Sequence, residues 1–512
     1  MKHNPGQERE TRAAGYEALI KRFDLRTIPN WHRSFVGLGG RHTVLTDEGQ
    51  TIETYPIGYW PGDGVGDHLE FALKYDGTNL AILATVFDEM SPVNLASYIE
   101  KKPTGKYARR LWFLYEYLTG EQLPLENLQK ATYVDLLDPS EYYALGRGEK
   151  SSRQRIRNNL PGNKEFCPLI RRTVALMQFE EKDLPGRCRE ILAEFPADLL
   201  RRALAYLYTK ETKSSYEIER ITPSANRADR FTAQLEKAWK EDYCTKSKLI
   251  DLQNRIVDER FKDPDYRSSQ NYVGESVLLG KEIVHFIPPK PDDLPKLMDG
   301  LIRSNKAMEA GNIPPVIHVT AIGFGFVFLH PFEDGNGRIH RFLLHNILAR
   351  RGYTPEGLIF PISAVMVKDR IAYDKALEAF SKSVMPLLDY ELSEDGHVSV
   401  HNESAIWYRF MDMTTQAEAL YRFIEETIET ELVRELVFLT SYDKARTRMQ
   451  AIADMPDRLM DLFIRICLQN NGQLSRAKRE SHFDMLTDEE IADLECAVGE
   501  AYGVAVREDE AE

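Results

Sequence analysis

The sequence predicts a mainly helical protein of several domains, with strands confined to short hairpins. Apolar residues recur at helical spacing along most of the chain, as in Leu80, Leu83, Ala84 and Phe87, and in Leu111, Leu114, Tyr115 and Leu118 ahead of Gly120. Runs rich in β-formers and bounded by turn residues are found in only two places. A chain of 512 residues also exceeds one hydrophobic core, and at roughly 100–200 residues per domain it should hold two to four, with three expected.

Taken in order, residues 1–150 read as a mostly helical domain carrying a small hairpin. From Arg41 to Tyr55, the runs Thr43-Val44-Leu45 and Thr51-Ile52-Glu53-Thr54 flank the turn-like Thr46-Asp47-Glu48-Gly49. Gly146 to Ser152 is polar and glycine-bearing, and reads as an exposed connection. A second domain covers 151–388, with a strand pair at Gln270 to Gly274 and Ile283 to Phe286, just before Pro288-Pro289. Asp389 to Ser404, with Asp395-Gly396, reads as the better linker. Residues 405–506 form a C-terminal helical domain, with amphipathic patterns over Trp407 to Phe438 and Pro456 to Gln469, and Arg507 to Glu512 is a charged tail. No internal repeat occurs.

Composition excludes several classes. Hydrophobic residues at 43% and charged residues at 29% are those of a folded soluble protein. A net charge of −14 argues against nucleic acid as the main partner, because phosphate binding leaves a basic footprint. Cys167, Cys188, Cys244, Cys467 and Cys496 form no C-x-x-C pair and read as buried small apolar side chains in a reducing compartment. Met1 to Glu10 lack a signal-type apolar region, and the most apolar stretch, Val316 to Phe332, is broken by His318, Thr320 and His330, so it reads as a buried core helix. The expectation is a cytoplasmic protein with no membrane partner.

The chemistry concentrates in residues 330–341, His-Pro-Phe-Glu-Asp-Gly-Asn-Gly-Arg-Ile-His-Arg. Gly335-Asn336-Gly337 frees the backbone to turn several N–H groups toward one point, an anion nest. Arg338 to Arg351 has helical spacing with Ile339, Phe342, Leu343 and Ile347 apolar and Gly352 as a stop, so the nest sits at a helix N-terminus, where phosphate is favoured. Arg338 and Arg341, three apart, share a face beside that phosphate. Asp334 at the nest would repel phosphate unless a bridging Mg²⁺ (or Mn²⁺) intervenes. His330 is placed to take a proton from an incoming hydroxyl, Pro331 gives a rigid bend, and Phe332 an apolar wedge. Each element alone is ordinary; in this order and within this span they predict in-line phosphoryl or nucleotidyl transfer. Zinc is excluded as the reading of His330, His340 and His345, because His340 and His345 point about 140° apart on a helix.

These residues resemble the Fic (filamentation) family, whose signature H-P-F-x-[D/E]-G-N-G-R-x-x-R is met at every specified position. Tyr266-Arg267, Asn271-Tyr272-Val273 and Pro288-Pro289 resemble the family's flap, and Ser363 with the Ile371 to Leu377 helix its last core helices, so the resemblance covers about residues 200–385. It implies a Fic-type helical core with a β-hairpin flap near 268–287. It implies a protein adenylyltransferase that moves AMP from ATP to a Ser, Thr or Tyr hydroxyl of a protein, the chain itself being one candidate target. The roles it implies are His330, Asn336 and Arg338 as catalytic residues and Asp334 on the metal. Phe332, Gly335, Asn336, Gly337, Arg338, Arg341 and Tyr373 would bind ATP, and Asn271, Tyr272, Val273 and Gly274 would hold the target strand by β-augmentation.

Ser215-Tyr216-Glu217-Ile218-Glu219-Arg220 resembles the family's inhibitory helix, [S/T]-x-x-x-E-[G/N], with Arg220 in place of Gly or Asn. The resemblance implies an inhibitory helix near 214–222 in which Glu219 pairs with Arg341 and Ser215 shares its face. Ser214 to Glu217 also reads as a capping box opening a short helix that ends before Pro223. Competing functions are removal of AMP, transfer of another phosphate-linked group such as UMP or phosphocholine, and a regulator with a degenerate core whose C-terminal helices bind DNA or a partner through Arg476, Lys478 and Arg479. A second copy of the chain is a further candidate partner.

Overall fold

The computed structural model describes residues 11–37, 42–47, 49–277 and 281–503. The readings on Met1 to Glu10, Arg41, Glu48 and the tail Arg507 to Glu512 fall outside them. Helices dominate, and among the described residues none is long and apolar enough to cross a membrane.

The N-terminal hairpin forms as β3 (Thr43–Asp47) and β4 (Gln50–Pro56), antiparallel, but it is half of a larger sheet. β1 (Thr11–Ala13) and β2 (His32–Gly37) complete the order β1-β2-β4-β3, with β2 and β4 parallel. Buried Asp76 ties sheet to helices: it accepts Tyr16 N–H at 2.9 Å and contacts His32 Nδ1 at 3.2 Å, while His32 Nε2 meets Glu53 at 2.7 Å. Leu80–Glu89 is capped by the Asn79 side chain, and Lys106–Thr119 stops at left-handed Gly120. Their apolar faces, with Leu83, Phe87, Leu111 and Tyr115, form the N-terminal core.

The connection expected at Gly146 to Ser152 is instead sheet. β5 (Val134–Asp135), β6 (Glu149–Ser151) and β7 (Ile156–Asn158) pair in the order β5-β7-β6, and a Cβ on Gly148 would meet the Asn158 carbonyl oxygen at 2.6 Å. Polarity there reflects an exposed β6 edge rather than a linker. The N-terminal core continues through Ile156, Leu160 and Leu169.

The central core is built on the helices Leu294–Ala310, Pro315–Leu329 and Asn336–Arg350. Pro315–Leu329 is buried on nearly all sides, as its apolar sequence requires, and its internal His318 is satisfied by Asn305 and Arg351, each at 2.9 Å. The flap is β8 (Val273–Val277) with β9 (Lys281–Phe286), antiparallel, with an irregularity between Val273 and Gly274. Its first strand begins three residues later than the sequence suggested, and there the Gln270 and Asn271 side-chain amides bond the Pro288 and Phe332 carbonyls.

The expected linker Asp389 to Ser404 holds a hairpin, β10 (Tyr390–Leu392) with β11 (Val398–Val400), turned at Gly396 with φ 80°. Beyond it, Trp407 through Leu436 packs into the central core; a separate C-terminal core starts only at Ala445 and runs to Val498. Four cysteines are buried and Cys496 is exposed, against the expectation that all five would be buried. Cys496 sits on Asp488–Tyr502, whose buried side carries Ile491, Leu494 and Val498 instead. Two basic residues of Arg476–His482 face carboxylates, Arg476 on Glu480 and Arg479 on Asp488, a solvated charge pattern.

Candidate active site

Residues 330–341 form the turn between two buried helices. His330 caps Pro315–Leu329 in a left-handed conformation, φ 49°, with its N–H on the Phe326 carbonyl at 3.0 Å. Phe332 is fully buried and packs near Phe326 and Tyr266. Asn336 closes the turn: its Oδ1 accepts Phe332 N–H at 3.0 Å and its Nδ2 donates to the Phe332 carbonyl at 2.7 Å. With both amide atoms engaged, Asn336 shapes the loop in this arrangement. Gly335 opens the helix Asn336–Arg350 at φ 92°, where a Cβ would also press on Val257.

The His330 Nδ1 donates to the Val327 carbonyl at 3.2 Å, which leaves Nε2 as the lone-pair nitrogen. Burial of the ring, and then the Arg267 cation, push its pKa down to about 4, so the imidazole is neutral at pH 7.

The two arginines are fully buried, which a solvated helix face would not be. Arg338 donates from Nε to Glu219 Oε2 at 2.9 Å, from Nη1 to the Ile256 carbonyl at 3.1 Å, and from Nη2 to Asp334 Oδ1 at 2.5 Å, and lies over the Tyr216 ring. Burial opposes its charge, but Glu219 and Asp334 outweigh this and raise its pKa. Arg341 donates to Ser215 Oγ at 2.7 Å, to the Ser215 carbonyl at 2.7 Å and to Glu219 Oε1 at 2.6 Å. Glu219 therefore bridges both arginines, where the sequence suggested only Arg341. Gly337 gives it room: a Cβ there would stand 2.5 Å from Glu219 Oε1.

Ser215 and Glu219 belong to a helix of 22 residues, Ala197–Ile218, and its last turn. The expected capping box at Ser214 to Glu217 is corrected: these residues end a helix, because the amphipathic pattern already runs from Ala197. The end is a Schellman turn, with Ile221 N–H on the Tyr216 carbonyl at 3.1 Å and Arg220 N–H on that of Glu217 at 2.9 Å. Arg220 holds the left-handed position, φ 55°, which is where the signature prefers Gly or Asn.

Spacing of four along this helix brings in a residue the sequence reading missed. Glu211, one turn before Ser215, is buried and accepts His345 Nε2 at 2.8 Å and Ser363 N–H at 2.9 Å. Glu211, Ser215 and Glu219 thus face Arg338, Arg341 and His345 as a ladder; extending the Ser215–Glu219 face by one turn would have found it. Gln253 and Asp263 were also missed. Gln253 Nε2 reaches the Asp334 carbonyl at 3.3 Å and Asp263 accepts Glu333 N–H at 3.1 Å, contacts without local sequence signal.

Tyr373 is buried near Arg341, stacked on His340 and tilted against Phe423, and burial raises its phenol pKa. Asn271 donates to the Phe332 carbonyl at 3.2 Å, placing the flap approach against the loop, while Val273 is exposed on the flap. Asp334 lies beside the helix start with its side chain 34% exposed, Oδ1 taking Arg338 and the Gly335 N–H. Among the described residues no three His, Cys, Asp or Glu side chains converge as a metal cage.

Two buried arginines at the start of a helix, reached through a histidine turn beside a β-hairpin, sit in a Fic-type helical core. Residues 243–348 match the model of the Fic/DOC family. The chain is similar to "Protein adenylyltransferase Fic" of Aedes aegypti, 31% identical over 118 residues, 23% of this chain and 22% of that protein. It is 30% identical over 115 residues to the protein of that name from Drosophila mojavensis, covering 22% and 21%. The chain thus spans about a fifth of the length of the curated relatives it matches. Among solved structures, a Fic family protein from Desulfovibrio desulfuricans G20 is 20% identical, covering 67% of this chain and 87% of that one, with a TM-score of 0.37. A Fic domain containing signaling protein from Bacteroides thetaiotaomicron VPI-5482 is 18% identical, covering 52% and 95%, with a TM-score of 0.33.

Proposed function

We propose that this chain is a protein adenylyltransferase, transferring AMP from ATP to a Ser, Thr or Tyr hydroxyl of a protein, and that Glu219 holds it idle. The observation that carries this reading is the Glu219 carboxylate on both Arg338 and Arg341 at the N-terminus of the motif helix. A carboxylate there takes the place of an anionic phosphate, whose oxygens the same guanidinium groups and N–H donors fit.

With Glu219 withdrawn, Arg338 and Arg341 would bind the outer phosphates of ATP and the turn Gly335 to Gly337 would receive them. His330 Nε2 would take the proton of the target hydroxyl. That oxygen bonds to the α-phosphorus as the bond to the bridging oxygen of the β-phosphate breaks, and pyrophosphate leaves with the electron pair. A neutral His330, its tautomer fixed by Val327, supports this role. Asp334 fits a Mg²⁺ or Mn²⁺ ion that takes most of its ligands from phosphate, and such an ion would neutralise charge on the leaving group. The flap would present a target strand by backbone pairing, and ATP and a protein are the partners this scheme requires.

The test is incubation with Mg²⁺ and α-labelled ATP. Native chain should incorporate little label into itself, Glu219→Gly more, and His330→Ala none. Equal labelling of native and His330→Ala chains overturns the mechanism. Preference for labelled UTP, or release of AMP from a modified target, would move the reading to the related chemistries.

A further inference from the structure

The flap and the catalytic turn are joined by a residue that the transfer scheme above does not use. Arg267 precedes the flap and is 4% exposed. Its guanidinium donates from Nε to the His330 carbonyl at 2.9 Å, from Nη1 to the Ser269 carbonyl at 2.8 Å, and from Nη2 to the Pro289 carbonyl. Its own N–H donates to the Pro331 carbonyl at 2.8 Å. Among the described residues no carboxylate forms an ion pair with it.

Three features make this more than a buried strut. His330 holds a left-handed backbone, and its carbonyl, at the helix end, needs a donor that the helix cannot supply. Ser269 and Pro289 are the two ends of the flap, so one side chain closes the hairpin at its base. The carbonyls of His330, Pro331 and Phe332 are all taken from the segment 267–271, the last by Asn271 at 3.2 Å. Ser269 Oγ adds a bond to Glu333.

We infer that Arg267 is a positioning residue for the transfer reaction, fastening both ends of the flap to the turn that carries His330 so that target strand and base are held as one body. This rests on the reading that the flap presents the target and His330 takes its proton. Arg267 touches no reacting atom. Its planar fork reaches three carbonyls at once, which a lysine ammonium does not reproduce in the same geometry. Its charge also faces the His330 ring; Asp334 faces that ring with the opposite sign and is itself paired with Arg338, while Glu333 and Tyr408 face Arg267.

The experiment compares Arg267→Gln and Arg267→Lys in the Glu219→Gly chain, reading self-labelling from α-labelled ATP against pH and amide hydrogen exchange over 268–289. Arg267→Gln should slow labelling at least tenfold, move the acid limb upward toward the ordinary histidine value of about 6.5, and speed exchange at both flap ends. Exchange in Pro315–Leu329 should stay native. Arg267→Lys should restore the acid limb through its charge while leaving the flap ends fast. An Arg267→Gln chain with native acid limb and native flap exchange overturns the inference, and if that chain does not fold, native flap exchange in Arg267→Lys does the same. If the Glu219→Gly parent takes no label, the adenylyltransferase reading fails, and the exchange measurement still decides whether Arg267 is the clamp.

Discussion

Glu219 Oε1 stands 2.6 Å from Arg341 Nη2, joining residues 122 apart in sequence. The contact carries stability, because two buried guanidinium groups depend on that carboxylate. Removing it in Glu219→Gly leaves Arg338 and Arg341 without their main counter-charge, at a cost on the order of 3 kcal/mol. The expected outcome is a lower melting temperature that Mg²⁺ with ATP restores by binding the folded state. A melting temperature equal to native and indifferent to nucleotide would contradict it.

Arg220 occupies a left-handed position that an L side chain fills at a penalty. Arg220→Gly should stabilise the chain by about 0.5–1 kcal/mol, since relief of the backbone exceeds the entropy that glycine adds to the unfolded state. A firmer helix end should also hold Glu219 more tightly, so self-labelling should fall below native. Denaturant midpoints and labelling measured together test this, and a lower midpoint with more label would refute it.

Glu211 is the far rung of the same ladder. Glu211→Gln keeps the shape but loses the charge that His345 meets and the acceptor geometry at Ser363. Destabilisation of about 1–3 kcal/mol is expected, with labelling raised above native but below Glu219→Gly. Unchanged labelling would show that the rungs act independently.

Acid should weaken the fold. His318, His330 and His340 have pKa values pushed down to about 3, 4 and 3, by burial first and then by Arg351, Arg267 and Arg341 respectively. Unfolded, each binds a proton below about pH 6.5, while the folded chain does not. Between those values the unfolded state holds more protons, so stability falls as pH drops, by up to roughly 1.4 kcal/mol per unit per group. His32 runs the other way: burial opposes its charge but Asp76 and Glu53 raise its pKa. His68, its pKa lowered chiefly by burial, runs with the first three, so four against one predicts a lower urea midpoint at pH 5 than at pH 7, and the reverse order would sink the assignment.

The extent to which the site was legible follows from the range of its contacts. The turn His330 to Arg341 could be read because nest, helix start and arginine spacing are local. The flap strands could be read for the same reason, whereas the Ser215–Glu219 face came from the family resemblance. Arg267, Gln253 and Asp263 left no local mark, since their partners lie far off in sequence and their role is to satisfy backbone groups of another segment. Local polarity misled at Gly146 to Ser152, where an exposed edge strand has the composition of a linker. It misled again at Ser214 to Glu217, where a helix end has the letters of a helix start.

By itself the sequence determined the helical character, the N-terminal and flap hairpins and the residue pattern of 330–341, because periodicity, turn residues and motif spacing act over a few residues, while Glu219 was singled out by the family resemblance. Only the tertiary structure decided that Glu219 bridges both arginines and that Arg220 stands in a left-handed turn. It alone joined Trp407 to Leu436 to the central core and tied the flap to His330 through Arg267. Those outcomes depend on which buried donors and charges meet across distant segments, and burial turns each such meeting from optional to obligatory.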